Sequence, residues 1–296
     1  MKSDDFEAWT TLEQRVVEDA LEAWVPSDAP AGLGEAMRYG VLDGGKRLRP
    51  LLVRAASEAV RGHPEAALRA AVAVELIHAY SLIHDDMPCM DNDLVRRGKP
   101  TVHVQHGEAQ AMLAGDAMQS LAFELLTPEG DGVAPALQAR LCALLARAAG
   151  HAGMAGGQAI DLASVGRSID EATLRDMHRR KTGALLHASV QMGAACGEVD
   201  ATACDALSDY GWSVGLAFQV VDDILDVTQA SETLGKTAGK DAENNKPTYV
   251  SVLGLGAARH YAAQLRDQAH QALARSGLAR AGWLAVLADK IVDREN

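Results

Sequence analysis

The aspartates of this sequence gather in two clusters. The first holds Asp85, Asp86, Asp91 and Asp93 within nine residues, directly after an apolar stretch with helical spacing. Carboxylates repel one another, and a helix C-terminus already carries partial negative charge, so such a cluster is costly unless a cation compensates it. Pro88 is expected to end the helix, and this would allow Asp85 and Asp91 to face one ion. A solvated acidic loop is the alternative interpretation.

The second cluster consists of Asp222, Asp223 and Asp226. Asp222 and Asp226 are four residues apart and therefore share one face of a helix, while Asp223 lies to the side. Aliphatic residues surround them, so this is not an ordinary solvated face. Oxygen-only ligands select hard cations such as Mg²⁺, which is usually held by one or two carboxylates together with the phosphate oxygens of a substrate. The two clusters together predict a site for Mg²⁺ and a diphosphate.

Short groups of cations stand near these clusters. Residues 44–50, with the sequence GGKRLRP, combine glycines that allow close backbone approach with Lys46, Arg47 and Arg49, which suits a phosphate group. The remaining cations of this set are Arg96, Arg97, Lys99, Lys181, Lys236, Lys240 and Lys246. Any one group alone is typical of a solvated surface. Their order around the aspartates favours direct neutralisation of phosphate.

Helical periodicity runs through nearly the whole chain and indicates what positions these residues. Apolar residues recur at helical spacing in stripes such as 72–83 and 214–225, and sustained alternation typical of strands is absent. Ser168 with Glu171 and Thr202 with Asp205 have the spacing of capping boxes and predict two helix starts. The sequence predicts an all-α fold: a bundle of about ten mostly antiparallel helices around a central cavity, in a single domain over residues 1–296.

Composition narrows the class of protein. With 28 basic and 40 acidic residues the formal charge is −12, which argues against nucleic acid or an anionic membrane as a general partner. Aromatic residues are few (Phe 3, Trp 4, Tyr 5), so aliphatic side chains must fill the core. The four cysteines have no CxxC spacing and are predicted to be reduced, mostly buried thiols. The start lacks the apolar core of a signal peptide, and no run approaches the roughly 20 apolar residues of a membrane span, which predicts a cytoplasmic protein without one.

These motifs, taken in order, resemble the trans-isoprenyl diphosphate synthases of the polyprenyl synthetase family, and most closely its bacterial farnesyl diphosphate synthases. Residues 44–50 are similar to the family's isopentenyl diphosphate motif, and residues 85–98 to its first aspartate-rich motif. The other matching signatures are Gly156-Gly157-Gln158-x2-Asp161, Lys181-Thr182-Gly183, Phe218-Gln219-x2-Asp222-Asp223-x2-Asp226 and Lys236. The resemblance covers almost the whole chain. It departs at Leu94-Val95, where the family often has an aspartate and a leucine. This change is expected to remove a peripheral negative charge without lowering the activity.

The resemblance implies an activity. An allylic diphosphate, dimethylallyl or geranyl, would lose its diphosphate, and the resulting cation would alkylate isopentenyl diphosphate. The implied product is farnesyl diphosphate, with geranyl or geranylgeranyl diphosphate as the alternatives and a non-catalytic prenyltransferase subunit as a further one. The family also implies Mg²⁺, three ions per active site, and a homodimer.

The resemblance assigns roles residue by residue. The metal ligands would be Asp85, Asp86, Asp91, Asp222, Asp223 and Asp226. The allylic diphosphate would be contacted by Arg96, Lys181 and Lys236, and the isopentenyl diphosphate by Lys46, Arg49, His78 and Arg97, with Lys246 as a further substrate-binding residue. The backbone carbonyl of Thr182 and the side-chain oxygen of Gln219 would steady the allylic cation.

Product length is predicted to depend on the helix that precedes Asp85. Ser81 and Tyr80, four and five residues earlier, lie about 6 and 7.5 Å deeper along an ideal helix. Ser81 is small and almost beneath Asp85, whereas Tyr80 is large but rotated, so helix geometry alone leaves open how far its ring blocks a prenyl tail. In related synthases, an aromatic residue here together with Pro88-Cys89 accompanies a fifteen-carbon product.

Two other classes of helical enzyme fit less well. A class I terpene cyclase needs one aspartate cluster and has no use for Lys46, Arg49 and the Arg96-Arg97 pair at a second diphosphate. Helical di-iron proteins favour glutamates, with a Glu-x-x-His pair on each of two helices, whereas both clusters here consist of aspartates.

Overall fold

Helices make up almost all of the regular structure. The computed structural model describes residues 3–42, 44–130, 132–167, 169–228 and 247–294. Lys236, Lys240, Lys246 and Ser168, which the sequence singled out, lie outside the described residues. Within those ranges the prediction of an all-α bundle is confirmed.

The first half of the chain forms a set of helices and one short hairpin. The elements are α1 (Ser3–Trp24), a 3₁₀ turn (Pro30–Gly32), α2 (Leu33–Val41), α3 (Leu48–Ala59), α4 (Pro64–Asp85), β1 (Val95–Arg96), β2 (Lys99–Pro100), α5 (Val102–His106) and α6 (Glu108–Leu126). β1 and β2 pair antiparallel. Arg97 and Gly98 connect them with φ of 52° and 76°, the left-handed pair of a type I′ turn. The sequence missed this hairpin because two-residue strands carry no periodicity.

The second half is helical throughout its described residues. It comprises α7 (Pro135–Ala149), α8 (Met154–Ser164), α9 (Glu171–His178), a π-helical turn (Arg179–Gly183), α10 (Ala184–Ala195), α11 (Ala201–Thr228), α12 (Tyr249–Leu253), α13 (Leu255–Ser276) and α14 (Gly282–Val292). Asp170 caps α9 by accepting from the Thr173 N–H, and Asp200 accepts from the Ala203 N–H at the start of α11. The cap of α11 therefore lies two residues before the predicted Thr202, because the nearby Asp200 provides the oxygen.

Helix α4 lies at the centre of the bundle. It packs against α2, α3, α6 and α10, and its buried face is built largely of alanines, which allow neighbouring helices to come close. A second group of buried residues joins α3, α10, α11, α13 and α14. Aliphatic side chains dominate both groups, as the small number of aromatic residues predicts.

Helix α4 also corrects one expectation from the sequence. Its 22 residues include a window with a mean hydropathy of 1.5, so among the described residues it alone is long and apolar enough to cross a membrane. However, 67% of that window is buried inside the fold, against the neighbouring helices. A central helix in a protein core needs the same composition as a membrane span, which explains the match.

The four cysteines are free thiols, as predicted. Cys196 is buried, and burial raises the pKa of its thiol to about 12. Cys142 and Cys204 are half-buried, but Cys89 is exposed, so the expectation of mostly buried thiols is wrong for that residue.

A half-buried histidine joins α10 to α11. The His187 ring stacks on Trp212 with ring centroids 4.1 Å apart, and its Nε2 lies 2.9 Å from the Ser208 hydroxyl oxygen. The Arg179 guanidinium lies 4.2 Å from the centre of the same Trp212 ring. Burial, together with the charge of Arg179, lowers the pKa of His187 to about 4.

This histidine is expected to make stability depend on pH. The folded pKa of about 4 lies below the usual value of 6.5, so between these pH values the unfolded chain binds a proton that the folded protein does not. We expect the free energy of unfolding to fall as the pH drops through this window, by up to about 1.4 kcal/mol per pH unit for one such group. Urea unfolding at pH 7.5 and pH 5 measures it.

Two variants isolate the contribution of His187. His187→Gln is expected to lose about 1–2 kcal/mol less than the wild type between the two pH values. The exposed His151 provides the control, since His151→Gln is expected to follow the wild type. Equal losses in the wild type and in His187→Gln would show that His187 does not carry this dependence.

Candidate active site

The first aspartate cluster folds into a tight turn at the end of α4. Asp85 is the last residue of the helix, which ends before Pro88 as predicted. The Asp91 N–H then donates to the Asp85 carbonyl at 2.9 Å, so the chain returns and brings the two residues together. Burial, with the charge of Asp91 among the neighbouring charges, raises the pKa of Asp85 to about 6, although Lys181 opposes the shift. A cation beside these carboxylates would relieve this repulsion.

Asp86 points to a different partner. It is 3% exposed, and both its oxygens accept from Arg96, the shortest distance being 2.6 Å. Arg96 is also 3.7 Å from Asp93. In this structure Asp86 therefore holds Arg96 and its hairpin in place, and its predicted role as a metal ligand stays a prediction. Leu94 and Val95 are exposed beside the hairpin, so the departure from the family pattern lies at the surface.

A cavity of about 380 Å³ opens beside Asp85. It is lined by residues from four separate parts of the chain, among them Arg49 of α3, His78, Tyr80, Ser81 and Asp85 of α4, Gln158 of α8, and Lys181 and Thr182 of the π-helical turn. The cavity therefore brings together members of four predicted sets: Asp85 of the first cluster, Lys181 for the allylic diphosphate, Arg49 and His78 for the isopentenyl diphosphate, and Tyr80 and Ser81 for product length.

Lys181 is held in this cavity by an acidic partner. Its Nζ donates to Asp161 Oδ2 at 2.5 Å, and Asp161 is 5% exposed. Gly157, one turn before Asp161, lies so close that a Cβ there would be 2.1 Å from the Lys181 backbone nitrogen. The Gly156-Gly157-Gln158 motif thus lets α8 approach the π-helical turn, and Asp161 orients the ammonium.

The π-helical turn Arg179–Gly183 brings Thr182 to α11. Its hydroxyl donates to Gln219 Oε1 at 2.8 Å, and Gln219 Nε2 donates in turn to Asp223 Oδ1 at 2.9 Å. Gly215 makes the approach possible, since a Cβ there would lie 3.0 Å from the Gly183 Cα. The predicted pair of Thr182 and Gln219 is therefore adjacent. The π-helical turn, a feature often found at functional sites, is not visible in the sequence pattern.

Asp223 is turned away from the open end of its cluster. It is 2% exposed and accepts from the Tyr249 N–H at 2.7 Å as well as from Gln219. His178 lies 4.0 Å from it, and burial lowers the pKa of that histidine to about 4. Asp226 is also buried, at 5% exposed. Asp223 thus fixes the start of α12, and a role at the metal stays a prediction for both carboxylates.

Asp222 is the most accessible carboxylate of the second cluster. Its side chain is 36% exposed, and Arg294 donates to its Oδ1. Burial lowers the pKa of Arg49 to about 10, and the charges of Glu75 and Asp222 oppose this shift. Burial also lowers the pKa of Lys46, with Arg294 adding to the shift and Asp222 opposing it. Asp222 is therefore electrostatically coupled to Lys46 and Arg49, and Arg49 reaches the cavity that Asp85 lines.

The residues predicted for isopentenyl diphosphate also converge. Burial, followed by the charges of Arg49 and Arg97, lowers the pKa of His78 well below its usual value, so its imidazole is neutral at pH 7. Arg97 donates to the Gly44 carbonyl at 2.7 Å, and a Cβ on Gly45 would lie 3.1 Å from its guanidinium. The glycines thus allow the hairpin to meet the segment that carries Lys46 and Arg49.

Arg47 contradicts the expectation that three cations of residues 44–50 face a phosphate. It is 3% exposed and donates to Glu18 at 2.6 Å, to Glu75 at 2.7 Å and to the Val41 carbonyl at 2.6 Å. Its φ of 48° is left-handed, and the turn directs its side chain into the core. Sequence reasoning missed this role, although Glu75 within the apolar run of α4 is a signal, since a buried glutamate needs a partner.

The donor set is suited to Mg²⁺. Asp85, Asp91 and Asp222 offer carboxylate oxygens, the ligands that hard cations prefer. Within the described ranges, no three His, Cys, Asp or Glu side chains stand close enough to enclose an ion by themselves. Such an incomplete set fits an ion that takes its remaining ligands from water and from substrate phosphate oxygens.

Comparison with known proteins gives a consistent result. A model of the polyprenyl synthetase family matches residues 30–279. The chain is 45% identical over 293 residues to "Geranylgeranyl pyrophosphate synthase, chloroplastic" of Capsicum annuum, which covers 99% of this chain and 79% of that protein. It is 46% identical over 296 residues to "Geranylgeranyl pyrophosphate synthase 9, chloroplastic" of Arabidopsis thaliana, covering 99% of this chain and 82% of that protein.

Solved structures share the fold over their whole length. An FPP/GFPP synthase from Zymomonas mobilis has a TM-score of 0.88 at 41% identity, covering 98% of this chain and 100% of that one. Geranylgeranyl pyrophosphate synthetase from Pyrococcus horikoshii has a TM-score of 0.90 at 32% identity, with 100% of both chains covered. A geranyltransferase from Helicobacter pylori, complexed with magnesium and isoprenyl diphosphate, has a TM-score of 0.85 at 33% identity over 99% of this chain and 98% of that one.

Proposed function

Because the chain belongs to the polyprenyl synthetase family, we propose that it is a Mg²⁺-dependent synthase that condenses isopentenyl diphosphate with allylic diphosphates to give geranylgeranyl diphosphate. Prenyl transfer in isoprenoid biosynthesis follows from the family. One observation supports the proposal further: an acidic end and a basic end meet at one cavity. Asp85, with the charge of Asp91 acting on it, lines the first end, and Arg49 and His78 line the second.

The two ends of the cavity suit two diphosphates, one of which leaves during the reaction while the other stays attached to its substrate. At the acidic end, Mg²⁺ when bound supplies Lewis-acid stabilisation of the charge that develops on a leaving diphosphate. Lys181, oriented by Asp161, and Arg96, oriented by Asp86, add positive charge there without needing to reorganise. The allylic C–O bond therefore breaks at this end.

The basic end holds its diphosphate without promoting its departure. Lys46, Arg49 and Arg97 neutralise phosphate charge, and the neutral imidazole of His78 contributes a hydrogen bond. Glu75, the nearby carboxylate, is already committed to Arg47. Because Glu75 is engaged in this way and does not recruit an ion, this diphosphate keeps its C–O bond, and its isopentenyl double bond is the nucleophile.

Neutral oxygens stabilise the allylic cation, and the released diphosphate accepts the final proton. The Thr182 carbonyl and the Gln219 Oε1 offer neutral oxygens, which steady an allylic cation without trapping it. The new C–C bond forms from the isopentenyl double bond, and the proton that leaves the adjacent carbon goes to the released diphosphate.

Two product lengths have support from different observations. The geranylgeranyl product is favoured by the curated relatives, which carry that name at 45% and 46% identity. The farnesyl product expected from the sequence is favoured by Tyr80, whose side chain lines the cavity. Its ring meets the His84 ring edge-on at 5.7 Å, and its hydroxyl lies 3.5 Å from Gln119 Nε2. Farnesyl diphosphate is therefore the second candidate product.

Replacing Tyr80 tests whether its ring forms the floor of the cavity. Tyr80→Ala is expected to lengthen the main product by at least one five-carbon unit, because the prenyl tail gains the space of the ring. Tyr80→Phe keeps the ring and is expected to keep the wild-type product. Chromatography of the dephosphorylated products measures both, and an unchanged length in Tyr80→Ala would remove Tyr80 as the floor.

The activity itself has a direct test. Purified protein is incubated with dimethylallyl and isopentenyl diphosphates and Mg²⁺, and the products are weighed by mass spectrometry. We expect prenyl diphosphates that lengthen only when both substrates and Mg²⁺ are present, ending at twenty carbons. A main product of fifteen carbons would establish the second candidate, and no elongation would leave only the non-catalytic subunit.

Further proposals rest on the family resemblance or on the sequence. We propose three Mg²⁺ ions per active site, a homodimer, a cytoplasmic location and a single domain that spans the chain. Lys236 and Lys246, outside the described residues, are proposed to contact substrate diphosphates. Sedimentation velocity measures the oligomeric state, and a monomer would contradict that part.

A further inference from the structure

Arg294, just after α14, makes three contacts with one turn of α11. Its Nη2 donates to Asp222 Oδ1 at 2.5 Å and to the Phe218 carbonyl at 2.7 Å. Its guanidinium carbon also lies 3.9 Å from the centre of the Phe218 ring. The Arg294 side chain is only 11% exposed, so this is a packed contact rather than a loose surface pair.

The contact falls on the carboxylate that the second cluster presents most openly. Asp223 and Asp226 are buried, whereas the Asp222 side chain is 36% exposed. The oxygen that Arg294 engages is thus the kind of ligand that Mg²⁺ requires. A guanidinium at 2.5 Å and a divalent ion on the same oxygen would repel each other strongly.

The position of Arg294 leaves room for it to move. It lies between two cavities of about 440 and 360 Å³ and lines both. Its Nε is buried without a hydrogen-bond partner among the described residues, so the guanidinium is incompletely satisfied where it lies. An unmet donor makes the contact less stable than a fully bonded pair.

We propose that Arg294 is a displaceable counterion of Asp222: it holds this carboxylate in the empty enzyme, and binding of Mg²⁺ with diphosphate must break the ion pair. The proposal rests on the proposed function, since it takes Asp222 as a metal ligand. Arg294 thereby compensates the charge of Asp222 when no ion is bound and lowers the affinity of the empty site for Mg²⁺. It sets how much substrate diphosphate is needed to load the metal.

The test is the affinity for Mg²⁺ in the presence of inorganic diphosphate, measured by isothermal titration calorimetry without turnover. Arg294→Met removes the charge and keeps much of the apolar stem. Because the competing cation is lost, its affinity is expected to rise about fivefold, which corresponds to about 1 kcal/mol. Arg294→Gln is a second neutral variant with the same expectation. Arg294→Lys keeps the charge and is expected to stay within about twofold of the wild type.

A matched control separates this contact from net charge. Arg275 forms an exposed pair with Asp209, and Arg275→Met changes the charge of the protein by the same amount. Its affinity for Mg²⁺ is expected to equal that of the wild type. Circular dichroism confirms that each variant is folded.

The outcomes are distinct. An affinity that is unchanged or weaker in both neutral Arg294 variants would overturn the proposal, and so would an equal rise in Arg275→Met. If the wild type and all variants bind no Mg²⁺ with diphosphate, then the proposed function fails and this proposal fails with it. A rise confined to the neutral Arg294 variants would support both.

Discussion

Asp222→Asn is expected to lower kcat at least a hundredfold while leaving the fold intact. Asp222 is the accessible carboxylate of the second cluster, whereas Asp223 is engaged by Tyr249 and Gln219. An asparagine keeps the shape but removes the charge that would hold Mg²⁺ against the leaving diphosphate. Losing one such interaction in a transition state typically costs about 10²–10³ in rate. Steady-state kinetics with saturating Mg²⁺ and both substrates measure the effect.

A control on the same helix separates the effect of losing one negative charge from the effect of losing the proposed metal ligand. Asp209 of α11 is exposed and pairs with Arg275, and it is not among the residues that line the cavity. Asp209→Asn is expected to retain kcat within about twofold, because exposed ion pairs contribute little. Near-normal turnover in Asp222→Asn would refute its assignment to the metal.

The second large effect is expected on stability. Arg47→Met is expected to lower the free energy of unfolding by about 3–5 kcal/mol, the usual result of removing one partner of a buried ion pair. Glu75 would remain in the core with its charge uncompensated, since it is 3% exposed and Arg47 is its partner at 2.7 Å. Urea unfolding at pH 7 measures the loss.

Two further variants make this prediction specific. Arg47→Met with Glu75→Leu is expected to regain part of the loss, because the buried charge is removed with its partner. Arg175→Met breaks an exposed pair with Glu171 and is expected to change stability by less than about 1 kcal/mol. A loss below about 1 kcal/mol in Arg47→Met itself would show that the buried pair does not stabilise the fold.

Parts of the site could be predicted where the residue type and its motif allowed only one interpretation. Residue type and spacing placed the end of α4 before Pro88 and, with the family resemblance, Lys181, Thr182 and Gln219 at the site, and the structure brings these residues together. Gly157 was identified from the sequence only as part of a family motif, and the reason for a glycine there appears in three dimensions, where α8 lies close to the Lys181 backbone.

Adjacent residues with the same charge could not be told apart from the sequence. Whether Lys46 or Arg47 faces the site depends on a left-handed φ at Arg47 and on Glu18 and Glu75, which are distant in sequence. In the same way, Asp223 faces inward because the Tyr249 N–H, 26 residues away, needs an acceptor. Long-range partners of this kind leave no mark on local spacing.

The fold itself followed from periodicity, and its details did not. Stripes of apolar residues gave the all-α bundle, since helices must bury them. The start of α11 was misplaced because Asp200 competes with Thr202 as a cap, and α4 resembles a membrane span because a central helix is buried on most sides. The π-helical turn depends on packing against α8 and α11, which sequence patterns do not encode.

The central claim is that both aspartate clusters act on one diphosphate, and a double-mutant cycle tests it most directly. The binding of inorganic diphosphate with Mg²⁺ is measured by calorimetry for the wild type, Asp85→Asn, Asp222→Asn and the double variant. We predict that each single variant weakens binding and that the double variant is little weaker than either, with a coupling free energy above about 1 kcal/mol, as for groups that hold one ligand. Strictly additive losses would mean that the clusters bind independently, which would contradict the account.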